Sequence, residues 1–216
     1  MEMPKSLQQK LEQGRQYRSV VEIRAVTDQQ PEEDGRMIVE GYATTFDEPY
    51  TLWEEEDYIV REQVAPSAFS KTDMADVIMQ YDHEGRVFAR ISNGTLALAV
   101  DDHGLHIRAD LSGTEIGRQL YEEIAGGYTN KMSFGFTVDA DERLITEENG
   151  VTTILRTITG IRKLYDVSAV SLPANNATEI SARAFSEGVI AEAAEERRAA
   201  AERERRVRKI KILMEV

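Results

Sequence analysis

Between about residues 19 and 185 the chain is punctuated: short runs of β-branched and aromatic side chains alternate with turn residues, leaving room for many strands and few helices. Residues 20–26 partly alternate, and residues 37–43 follow a turn at Asp34-Gly35. Residues 77–81 read as a short buried strand. Residues 95–100 and 105–111 flank Asp101-Asp102-His103-Gly104, a hairpin turn, and the runs 131–138, 152–163 and 166–172 complete the set. Two helices interrupt them. One is short, from Pro66 to about Thr72, with proline suited to the first turn. The other opens on Ser112-Gly113-Thr114-Glu115, a capping-box pattern, continues with an apolar stripe at Ile116, Leu120 and Ile124, and stops at Gly126-Gly127. Many short strands with few helices predict a barrel or sandwich.

The flanks differ in kind. Residues 1–18 are polar, with Leu7 and Leu11 as the only helically spaced apolar pair, and read as an N-terminal arm. Residues 186–216 are rich in Ala, Glu and Arg and predict a long charged helix, with Glu202 and Arg206 at a supportive spacing. This tail holds 8 basic and 7 acidic groups, so the net charge of −13, from 26 basic and 39 acidic residues, falls on the rest of the chain. That balance argues against a general nucleic-acid binder and against docking on anionic lipid. With no cysteine, disulfides, thiolate metal sites and cysteine nucleophiles are excluded. There is no apolar run long enough for a membrane span and no secretory signal at the start, so a soluble, intracellular protein is expected.

Three residues stand out as carriers of chemistry, and each has a plainer reading beside it. His83 follows the apolar run ending at Tyr81, where a strand leaves the core; alone it is equally an ordinary loop histidine. His103 lies in the turn beside Asp101 and Asp102, where a solvated residue is expected, and His106 lies in a strand; their three-residue separation places them on opposite faces and makes a poor metal pair. Ser133 lies in Lys131-Met132-Ser133-Phe134-Gly135-Phe136, where Met132, Phe134 and Phe136 form a core face. Ser133 and Gly135 share the other face, small enough to admit a substrate backbone. A strand serine facing water fits the same pattern, and no Gly-x-Ser-x-Gly elbow supports an α/β-hydrolase. Asp166 opens a strand on the face opposite Val167, either as a solvated terminus or as a carboxylate that orients a histidine.

Five segments in one order carry a family resemblance. They are Val39-Glu40-Gly41-Tyr42-Ala43-Thr44-Thr45-Phe46, Val64-Ala65-Pro66-Ser67-Ala68-Phe69, Tyr81-Asp82-His83, the Ser133 run, and Asp166-Val167-Ser168-Ala169-Val170-Ser171-Leu172-Pro173-Ala174-Asn175. Over roughly residues 20–183 the chain resembles the prohead maturation proteases of tailed bacteriophages, which are related to the herpesvirus assembly protease. The resemblance implies a mainly β, α+β fold: a small barrel wrapped by helices at residues 19–185, between the arm and the tail. It also implies a serine endopeptidase that cuts scaffold and capsid-protein segments, and itself, inside the immature shell in the host cytoplasm, with no cofactor or metal.

By the same resemblance Ser133 is the nucleophile, His83 the general base and Asp166 the third member, a position where the family more often has glutamate. Arg162 is an oxyanion-donor candidate, with a surface charge as its other reading. The viral cousins are activated by dimerisation, so a homodimer belongs to the expectation; nucleic acid and membrane do not. The competing reading is a non-catalytic capsid-assembly or scaffold-like protein that binds partners through the C-terminal helix. A binding module unrelated to phage is a third. The first two part over whether His83, Ser133 and Asp166 converge within hydrogen-bonding reach.

Overall fold

The computed structural model describes residues 9–10, 12–26, 35–171 and 176–214. The Leu7/Leu11 pair, Asp34 of the first turn, and residues 172–175 of the last motif lie outside the described residues.

The spine is one long hairpin. β9 (Lys131–Glu148) and β10 (Val151–Val170) pair antiparallel over their whole length. They turn at Asn149-Gly150, both with left-handed φ (52° and 83°), the dipeptide that a two-residue hairpin turn favours. The runs 152–163 and 166–172 are therefore one strand up to Val170, not two.

The near half of this hairpin, around Ser133 and Asp166, carries most of the fold. β1 (Gln16–Ala25) pairs with β9, followed by β2 (Ile38–Thr45), β8 (Gly104–Asp110) and β7 (Leu96–Val100), all antiparallel. β5 (Ile78–Tyr81) lies parallel to residues 166–169 of β10 and turns back into β6 (Glu84–Arg90). The far half carries β4 (Tyr58–Val64), parallel to residues 152–158, and β3 (Tyr50–Glu55) beyond it.

The class is α+β and mainly β, as the sequence predicts, but the sheet does not close into the expected barrel. Its path runs β3-β4-β10-β9-β1-β2-β8-β7 with β5 and β6 beside it. The physical reason is the length of the central hairpin. β3 and β4 hang from its far half and β7 and β8 from its near half, so the two ends of the path do not meet.

The helices also settle differently from their sequence signals. Pro66–Phe69 is a single 3-10 turn with proline in its first turn. α1 (Glu115–Ala125) is capped by Thr114, whose Oγ1 accepts from the Gly117 amide at 3.0 Å, not by Ser112. Ser112 is occupied elsewhere, its hydroxyl donating to Asp110 Oδ1 at 2.6 Å. α2 (Asn176–Met214) begins ten residues before the compositional shift at 186 and packs Val189 and Ala193 against Ile154 of β10.

Two kinds of interior result. The main core joins Leu105 and Ile107 of β8, Leu120 of α1, and Met132, Phe134 and Phe136 of β9. Burial of each large side chain there contributes about 1.5–3 kcal/mol. On the far half a charged network is buried. Glu62 Oε1 accepts from Arg18 Nε at 2.5 Å and Tyr50 Oη at 2.6 Å, and its Oε2 accepts from an Arg156 amino group at 2.7 Å. Arg156 Nε donates to Asp141 at 2.6 Å, and the Arg156 guanidinium lies 4.1 Å from the centre of the Phe185 ring on α2.

Candidate active site

The site begins with strand register. On β9, Ser133 stands opposite Ser168 of β10, and Gly135 stands opposite Asp166. Residues two apart on a strand share a face, so Ser133 and Gly135 look the same way as Asp166 and Ser168. Parallel pairing of β5 with residues 166–169 then brings the end of β5, and the turn after it, over that face.

His83 sits in that turn. Asp82 and His83 have φ of 48° and 62°, left-handed values that two consecutive non-glycine residues seldom adopt. Each such residue costs on the order of 1–3 kcal/mol and persists only where its surroundings fix it. Asp82 is fixed from β10: its amide donates to the Ala169 carbonyl at 2.9 Å, and its carboxylate accepts from the Ser171 amide (3.0 Å) and hydroxyl (2.9 Å). Asp82, next to His83 in sequence, is thus no orienter of the imidazole. Both residues belong to the turn that follows β5. The His83 carbonyl accepts from Lys10 Nζ at 2.7 Å.

The three candidate residues converge. His83 Nδ1 is 2.5 Å from Asp166 Oδ1, and His83 Nε2 is 2.6 Å from Ser133 Oγ. A carboxylate only accepts, so Nδ1 carries the proton, Nε2 is left as acceptor, and the Ser133 hydroxyl donates to it. All three side chains are buried. Burial pushes the Asp166 carboxyl up; the electrostatic attraction and hydrogen bond of the facing imidazole, with a 2.9 Å bond from the Ser168 hydroxyl, outweigh it and hold the group below its ordinary value.

Gly135 has a use different from the expected one. A Cβ there would stand 2.4 Å from Asp166 Oδ2 and 2.8 Å from a Tyr17 ring carbon. The small face therefore accommodates the Asp166 carboxylate and Tyr17, not a substrate backbone. Tyr17, opposite Gly135 on β1, is buried with its ring centre 4.4 Å from that of His83, tilted by 55°. Burial, and next the Asp166 charge, push its phenol up to about 12. Neither Tyr17 nor Lys10 is legible as a site residue from the sequence, because their approach depends on a β1–β9 register that no local pattern encodes. Ser168 was within reach: it lies two residues after Asp166 on the same face.

Arg162 is apart from this cluster. Its guanidinium is 70% exposed and faces Asp139 at 3.4 Å on the surface. His103 and His106 both lie against the Tyr42 ring, at 4.5 and 5.1 Å between ring centres. Among the described residues no group of histidines and carboxylates is arranged to hold a metal ion. A groove of about 630 Å³ runs beside the His83 turn between β6 and α1, lined by Tyr81, Phe88, Ile116 and Leu120, with Glu84 and Glu123 at its rim.

A hydroxyl, an imidazole and a carboxylate in one hydrogen-bonded line form the constellation that serine hydrolases use on unrelated folds. Residues 21–192 match the family of Caudovirus prohead serine proteases, and the chain belongs to that family. No curated protein and no solved structure matches it. Family membership makes the protein a serine protease, a hydrolase of peptide bonds, of the phage capsid-maturation type.

Proposed function

We propose that the chain is an endopeptidase that hydrolyses segments of scaffold and capsid protein, and of itself, by an acyl-enzyme route through Ser133, His83 and Asp166. The observation that carries this reading is the continuous line from Asp166 Oδ1 through both ring nitrogens of His83 to Ser133 Oγ, at 2.5 and 2.6 Å. In acylation His83 Nε2 takes the Ser133 proton as Oγ bonds to the scissile carbonyl carbon, and the imidazolium then protonates the leaving amine as the C–N bond breaks. In deacylation Nε2 takes a proton from water, the hydroxide adds to the ester, and Ser133 recovers its proton as it leaves. Asp166 holds the tautomer in which Nε2 is free and stabilises the imidazolium; Ser168 holds Asp166.

Substrates are extended segments of the shell proteins around it, and the place of work is the immature prohead in the host cytoplasm. The groove beside β6 lies one residue from His83 on either side, through Asp82 and Glu84, which supports it as the path of a bound segment. The test is expression of the intact chain and of Ser133→Ala, each with the capsid protein that carries a scaffold segment, followed by mass spectrometry over time. The expected result is cleavage by the native chain alone, with a rate loss on the order of 10³-fold or more for Ser133→Ala. Equal cleavage by both chains overturns the reading.

A further inference from the structure

Residues ahead of the family-matched region reach the proposed base. The match begins at residue 21, yet two contacts on His83 come from before it: Lys10 Nζ on its carbonyl at 2.7 Å, and the Tyr17 ring 4.4 Å from its imidazole. We propose that Tyr17, assisted by Lys10, is a positioning residue that locks the His83 ring onto Asp166 and keeps water out of their hydrogen bond. This rests on the catalytic reading of His83 and Asp166 given above.

Three observations carry it. First, register places Tyr17, Gly135 and Asp166 in one row across β1, β9 and β10, all on the face below the His83 turn. The bare Cα of Gly135 lets the ring and the carboxylate come together: one point lies within 2.8 Å of a Tyr17 ring carbon and 2.4 Å of Asp166 Oδ2. Second, the backbone of His83 is left-handed (φ 62°) and needs outside support to hold its side chain in one orientation. Asp82 is clamped by β10, whereas His83 is held at its carbonyl by Lys10 and at its ring by Tyr17. Third, the buried Tyr17 hydroxyl makes no hydrogen bond to His83 or Asp166 and has the Arg15 guanidinium as its polar neighbour, so the ring is the part that serves the site. A buried aromatic wall lowers the local dielectric around the His83–Asp166 bond and strengthens it. The high phenol pKa, about 12, agrees with a neutral, dry neighbour of the Asp166 carboxylate.

The ring-not-hydroxyl assignment makes the proposal sharp, because Tyr17→Phe and Tyr17→Leu must behave differently. The full chain is compared with Tyr17→Phe, Tyr17→Leu, Lys10→Arg and Lys10→Met. Ile154→Ala, in the packing under α2, serves as a control that destabilises the fold elsewhere. Two readouts are taken well below unfolding. One is the downfield proton NMR resonance of His83 Nδ1–H, assigned by its loss in His83→Gln. The other is the rate at which a fluorophosphonate labels Ser133.

Tyr17→Phe is expected to keep both readouts. Tyr17→Leu is expected to lose the resonance to solvent exchange and to slow labelling on the order of 10²-fold, the scale of a 1 Å misplacement. Lys10→Met is expected to slow labelling about tenfold, with Lys10→Arg restoring it. Ile154→Ala is expected to leave the resonance in place. Retention of the resonance and rate in Tyr17→Leu, or an equal loss in Ile154→Ala, overturns the proposal. Loss in Tyr17→Phe overturns the assignment to the ring. A native chain that shows the resonance but is never labelled refutes Ser133 as nucleophile, and the resonance alone then decides the role of Tyr17.

Discussion

The near and far halves of the β9–β10 hairpin both bury charge, and they treat it oppositely. On the far half, both oxygens of Glu62 are occupied, shared between Arg18, Tyr50 and Arg156, and Arg156 reaches on to Asp141. On the near half, Asp166 Oδ1 takes two partners while Oδ2, buried, takes none. The backbone repeats the contrast, since the near half includes the strained Asp82-His83 turn. Satisfied networks rigidify a fold, and incompletely satisfied ones store reactivity at a site. Tyr17 and Arg18, neighbours on β1, each serve a different half, so one strand joins them.

The largest expected effect tests the near half. Asp166→Asn keeps the shape but removes the acceptor that fixes the His83 tautomer, and fluorophosphonate labelling of Ser133 should fall about 10⁴-fold. Next comes the far half. Glu62→Ala leaves Arg18 and Arg156 buried without their carboxylate and should cost about 3–5 kcal/mol in urea unfolding. Labelling per folded molecule should be unchanged; a parallel loss of labelling would break the separation of the two halves. Gly135→Ala drives a methyl against Asp166 and Tyr17 and should cost about 1–3 kcal/mol, with loss of labelling alongside.

Acid is expected to act on both halves. Glu62 is raised by burial but lowered more by Arg18 and Arg156, and Asp166 is likewise held below its ordinary value. Their contribution is complete above about pH 4, where unfolded carboxyls ionise. It is lost as pH falls further, because the unfolded chain takes up the protons first. Unfolding measured from pH 5 to pH 2 should show this loss, and Glu62→Gln should flatten it. The smallest effect is on the exposed part of α2. Removing the Glu202–Arg206 pair by Glu202→Gln should cost about 0.3–0.5 kcal/mol at most.

The legible parts of this molecule were those encoded in short windows. Strand parity gave the core face at Met132, Phe134 and Phe136 and the shared face of Ser133 and Gly135. The Gly126-Gly127 stop ended α1 where expected, with Gly127 left-handed (φ 74°). Asn149-Gly150 was an equally local signal, but the runs beside it are so polar at residues 139–148 that the far half of β9 did not read as strand. β3, β4 and β6 are illegible for a related reason: their exposed or charged residues break the alternation, and they are strands through pairing, β4 with β10, β3 with β4 and β6 with β5. The resemblance named His83, Ser133 and Asp166 as a group; the register that unites them, and admits Tyr17, depends on partners dozens of residues away.

The topology also sets a clock. His83 is 50 residues from Ser133 and 83 from Asp166, and among the described residues the β5–β6 hairpin finds its other strand partner in β10. A ribosome adds about 5–20 residues per second, so the chain spends seconds with the serine already made and no imidazole docked on it. Contacts this distant form late in folding. Through that interval the three side chains of the proposed site exist but have not met.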